Sequence, residues 1–79
     1  LLGLARERYV TGLELMRRDR HLEGQADIAN RLGRIDREFG RLKDAISWLE
    51  EARLRYGEMG DQARVQQIEK DLVDLRERV

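Results

Sequence analysis

Apolar residues recur at three- and four-residue steps along most of the chain, the spacing that gathers side chains on one stripe of an α-helix. Leu2, Ala5, Tyr9, Leu13 and Met16 make a first stripe, which the polar run from Arg17 to His21 and then Gly24 interrupt. Ile28, Leu32, Ile35 and Phe39, with Ala29 beside them, make a second, and Gly40 follows as a candidate left-handed cap. The rhythm returns in Leu42, Ala45, Leu49, Ala52 and Tyr56, after which Gly57 and Gly60 offer two stops. Asp61 is a candidate N-cap for a last helix whose seam, Val65, Ile68, Leu72, Leu75 and Val79, runs without a break. The pattern predicts an all-α fold of four helices over residues 2–18, 25–39, 42–57 and 61–78. Short connections place consecutive helices antiparallel, as hairpins.

Internal similarity separates a closed bundle from an open array. Ala5, Tyr9 and Gly12 have the spacing of Ala45, Leu49 and Ala52, forty residues later. The stretch from His21 to Ala26 also leads into helix two much as Glu58 to Ala63 leads into helix four. Small residues at such positions suit close helix contacts, with a larger apolar residue filling the gap between them.

Residues 26–59 resemble a tetratricopeptide repeat, a family marked by Trp, Leu-Gly, Tyr, Ala, an aromatic residue and Pro at set offsets. Leu32-Gly33 falls on the family's Leu-Gly, Ala45 on its Ala, Leu49 on the aromatic site, and Gly40 and Ala52 on further small-residue positions. Ala29 replaces the Trp, Asp36 the Tyr and Gly57 the Pro. The forty-residue spacing is similar to the longer-period repeats of kinesin light chain and of polarity adaptors with Leu-Gly-Asn motifs. The resemblance implies stacked hairpins in a right-handed superhelix within a single domain, residues 1–79. Residues 1–19 would be the second helix of a partial repeat, 26–59 a full repeat and 61–79 a capping helix. The chain then reads as a fragment of a longer protein.

Composition narrows the function. Sixteen basic residues balance sixteen acidic ones, which disfavours nucleic acid and anionic membranes as partners. With no Cys, disulfides and thiol chemistry are excluded, and a cytoplasmic location is the expectation. The 41% charged content and absence of Pro suit solvated helices. His21 is the one histidine, without neighbours to build a metal site. Glu50-Glu51 and Asp71 with Asp74 lie on polar helix faces that would not raise a carboxylate pKa. No phosphate-cradling glycine motif is present. An enzyme, a cofactor and a metal are therefore not expected.

A protein or peptide partner is. In the family the first helix of each repeat lines a concave groove, and here its exposed positions fall on Asp27, Asn30, Arg31, Arg34 and Arg37. Asn30 and Arg34 are one turn apart; an amide bonds both groups of an extended backbone, and an arginine fork grips a carboxylate at two points. The expected ligand is an acidic or C-terminal segment. Trp48 is a further candidate contact, since aromatic residues are enriched among binding hot spots. The alternative is a homo-oligomer, with Val65, Ile68, Leu72, Leu75 and Val79 forming a self-association seam between chains.

Overall fold

The computed structural model describes residues 2–19 and 21–79, apart from the side chains of residues 2, 13 and 15–19. The Leu13 and Met16 part of the first stripe and the cluster of Arg17, Arg18 and Arg20 lie outside that description. Four helices follow one another: α1 (Leu2–Asp19), α2 (Leu22–Glu38), α3 (Leu42–Glu58) and α4 (Gln62–Arg78). No strand occurs among the described residues.

Helix α2 starts three residues earlier than the sequence pattern predicts. The Gln25 amide already donates to the His21 carbonyl at 2.9 Å, so Gly24 lies within the first turn of the helix. Glycine in a helix costs about 1 kcal/mol against alanine, which weakens a first turn without preventing it. Gln25-Ala26 therefore stand one turn deeper in α2 than Gln62-Ala63 stand in α4, and the matched turns of the sequence reading are out of register. The stop after α3 is Gly60, with Gly57 inside the helix.

Two turns of the same construction join α2 to α3 and α3 to α4. Gly40 and Gly60 both sit at φ 75°, a left-handed conformation open to glycine. In the first turn the Gly40 amide donates to the Arg37 carbonyl and the Arg41 amide to the Asp36 carbonyl, at 3.0 and 2.8 Å. In the second, Gly60 donates to Gly57 and Asp61 to Tyr56, at 3.1 and 2.9 Å. Both are Schellman caps, and each satisfies the open carbonyls at the end of its helix. The residue after each glycine is at once the N-cap of the next helix. Asp61 supplies a side-chain cap there, accepting from the Arg64 amide at 3.2 Å, while Arg41 supplies none.

The turns set a register in which α4 stands forty residues after α2. Ile28, Leu32 and Ile35 are buried on α2, and Ile68, Leu72 and Leu75 occupy the equivalent buried positions on α4. Ala26, Ala29, Ala45, Leu49, Ala52 and Tyr56 join the α4 residues in one apolar cluster spanning α2, α3 and α4. Alanines there let the helices approach. The approach is tight at Gly33, where a Cβ would stand 2.7 Å from Leu49 Cγ and 3.3 Å from the Ala45 carbonyl oxygen. The Leu-Gly pair thus combines a buried Leu32 with the contact point of α2 on α3.

The position of Asp36, where the family has Tyr, has its own explanation. Its carboxylate is fully buried and receives Arg6 of α1, Nε to Oδ1 at 2.8 Å and Nη2 to Oδ2 at 3.4 Å, with Arg41 Nη1 a further 3.7 Å away. The hydrogen bond to Asp36 raises the Arg6 pKa further, against a smaller opposing effect of burial. Asp36 therefore fastens α1 to the α2–α3 junction from inside. Beside it, Tyr9 and Val10 of α1 pack with Trp48 against Ile28 and Leu32.

Helices pack in chain order, α1 on α2, α2 on α3 and α3 on α4, and the backbones of α1 and α4 do not approach each other. The chain is an open row of hairpins, with Cα extents of 35 × 31 × 14 Å. The seam of α4 is used within this row: Ile68, Leu72 and Leu75 are buried in the shared cluster and Val65 packs against it. Only Val79 of the five residues read as a self-association seam is exposed, because α3 already covers the rest.

Candidate functional site

Four of the residues singled out from the sequence come together. Asp27, Asn30, Arg31 and Arg34 of α2 line one wall of a cleft of about 360 Å³, which Tyr56 of α3 and Arg64 of α4 complete. Positions 27, 30, 31 and 34 share a helix face because they are separated by three or four residues. The lining holds three arginines and one carboxylate, and Asp71 and Asp61 pair with Arg34 and Arg64 from outside it.

Tyr56 organises its floor. The ring is buried in the apolar cluster, and the hydroxyl donates to Asp27 Oδ1 across 29 residues of chain. Burial first, and then this hydrogen bond, push the Tyr56 pKa up to about 12, against a smaller opposing pull from Arg64 and the Asn30 amide. The phenol is thus neutral at physiological pH, and Asp27 is occupied in holding it. Arg64 lies over the same ring, 5.3 Å from its centre, and pairs with Asp61 at 2.9 Å. A cation at that distance is attracted by the ring face.

The other two arginines are loosely held. Arg31 reaches the Tyr9 hydroxyl at 3.5 Å and stands 5.7 Å from that ring's centre. Arg34 Nη2 meets Asp71 Oδ2 of α4 at 3.3 Å, a single-point contact with 42% of the Arg34 side chain still exposed. Between them the buried Asn30 Oδ1 has no hydrogen-bond partner. A buried acceptor without a donor is costly to the fold.

Arg37 and Trp48 are not brought to this cleft. Arg37 belongs to the last turn of α2, beyond the residues that line it. Trp48 of α3 is half-buried and packs against both apolar clusters, Ile28 and Leu32 of α2 included, so its ring serves the packing of the hairpins. A larger shallow hollow, about 490 Å³, lies around Trp48 and Leu54, but α3 alone supplies its walls. The polar cleft, by contrast, is built from three helices.

Tyr56 and Arg64 escaped the sequence reading. Tyr56 looked like a core residue, which its ring is, and the Asp27 partner lies on another helix. Arg64 follows the N-cap Asp61 by three residues and invites a purely local reading. Among the described residues no group of three or more His, Cys, Asp and Glu is placed to hold a metal ion. His21 is exposed at the start of α2. No helix among the described residues is long and apolar enough to cross a membrane. No family model matches the chain, and neither a curated protein nor a solved structure matches it.

Proposed function

We propose that this chain is a tetratricopeptide-like interaction module that binds an acidic peptide segment, or a C-terminal carboxylate, in the cleft between α2 and α4. The observation that carries the reading is the composition of that cleft: three arginines converge from two helices, the lining carboxylate Asp27 is spent on Tyr56, and Asp71 and Asp61 reach Arg34 and Arg64 from outside the lining. An extended acidic segment would offer carboxylates to Arg31, Arg34 and Arg64. Specificity would come from this polar wall, while the apolar cluster behind it keeps the helices in place. The reading is of binding rather than catalysis, since the Tyr56 pKa is moved away from the range useful to a general base at neutral pH. We place the module in the cytoplasm, on its lack of Cys.

Self-association is the weaker reading, because α3 already covers most of the α4 seam. The test is titration of the folded chain with a fluorescent hexaglutamate peptide at low salt. Saturable binding that Arg31→Ala plus Arg34→Ala weakens at least tenfold, with helicity unchanged, supports the cleft. Binding that survives the double substitution refutes it.

A further inference from the structure

The forty-residue register places Asp71, Asp74 and Glu77 of α4 at the positions held on α2 by Arg31, Arg34 and Arg37. The two helices share three buried apolar positions and are opposite in charge on this stripe. Asp74 is satisfied on its own helix, by Arg78 at 3.0 Å. Asp71 instead crosses to α2 and engages Arg34, one of the three arginines of the cleft.

The geometry of that contact is weak. It is one nitrogen on one oxygen at 3.3 Å, longer than the roughly 2.7–2.9 Å of a good charge-assisted hydrogen bond. The Arg6–Asp36 pair, by comparison, engages both oxygens of its carboxylate. Only 16% of the Asp71 side chain is exposed, so its charge is held at the cleft rather than turned out to water.

We propose that Asp71 is a built-in competitor for the acidic ligand, occupying Arg34 in the free protein and yielding it when a carboxylate binds. The inference rests on the acidic-segment reading of the cleft. A ligand carboxylate that takes the Arg34 fork at two points displaces a single-point contact. The displaced Asp71 then faces the ligand's negative charge. Asp71 thereby lowers affinity for any carboxylate and selects for ligands that present several. Asp74, engaged by Arg78, has no such role although it lies on the same helix.

The experiment compares hexaglutamate binding to the wild-type chain, Asp71→Asn and Asp74→Asn, with hexaglutamine as the uncharged control. Asp71→Asn is expected to bind hexaglutamate about three- to fivefold more tightly, the scale of a partly exposed ion pair. Asp74→Asn is expected to change it less than about twofold. Equal or weaker binding by Asp71→Asn, or an equal gain in Asp74→Asn, overturns the proposal. If the wild-type chain binds and Asp71→Asn binds no better, the competitor falls and the cleft stands. If neither binds, the acidic-segment reading falls and takes the competitor with it. A second measurement keeps the wild-type fold. Arg34 side-chain nitrogen signals should shift during a hexaglutamate titration, and signals that stay fixed while the peptide binds also overturn the proposal.

Discussion

Helices α2 and α4 occupy the same place in the forty-residue register and bury the same three positions, yet they meet their surroundings differently. Helix α2 is packed on both sides, by α1 through Arg6 and by α3 through Gly33. Helix α4 is packed on one side, by α3. At the position of Gly33, α4 carries Val73, which is 57% exposed. At the position of the buried Asp36 it carries Arg76, an exposed residue paired with Glu50 at 2.9 Å. An approaching helix in the α2–α3 arrangement would meet the Val73 side chain where α2 offers none. The comparison teaches that the apolar rhythm sets which face is buried. Single residues at equivalent positions then decide whether a second face receives a neighbour.

The strongest way to break the comparison is to exchange those residues. Gly33→Val forces a side chain into Leu49 and should destabilise the chain by about 3 kcal/mol in urea unfolding, the upper range for overpacking. Next, Asp36→Ala should cost about 2 kcal/mol, since it strips Arg6 of a buried partner, whereas Arg76→Ala should cost under about 0.5 kcal/mol. Hydrogen exchange should show α1 loosened in the first and all helices unchanged in the second.

Tyr56→Phe leaves Asp27 without its donor and should cost about 1–2 kcal/mol. Its pH signature is more telling. The Tyr56 pKa is about 12 in the folded chain against 10.0 for the ordinary group, so between those values the unfolded chain loses a proton that the folded chain retains. The stabilisation is complete below pH 10 and is lost as pH rises toward 12. Tyr56→Phe should remove that part of the pH dependence. The smallest effect belongs to Val73→Gly, about 0.4 kcal/mol from helix propensity alone, measured by thermal unfolding. A loss near that of Gly33→Val would show that position 73 is packed after all.

The helices and most of the core were legible in the sequence because a three-four apolar rhythm has one economical reading. The start of α2 was not, since Gly24 resembles a break while a first turn needs only its backbone hydrogen bonds. Asp36 looked like a defect in the repeat pattern because Arg6, which makes it tolerable, lies thirty residues away on another helix. Four of the cleft's six lining residues could be found from one helix face, but Tyr56 and Arg64 join it only through packing. The sign reversal between Arg31, Arg34, Arg37 and Asp71, Asp74, Glu77 was available all along at the forty-residue offset. It becomes readable once the register is known.

Neighbour-only packing also governs how the chain acquires its structure. Backbone contacts confined to adjacent helices are short in sequence, and chains of low contact order fold in microseconds to milliseconds. Stability in such a row is a sum of helix and interface contributions, so the ends open without the middle. The hairpin of α2 and α3, locked at Gly33, should be the last part to exchange its amide protons. Fraying should enter from α1 and α4 as two separate events, each with its own rate.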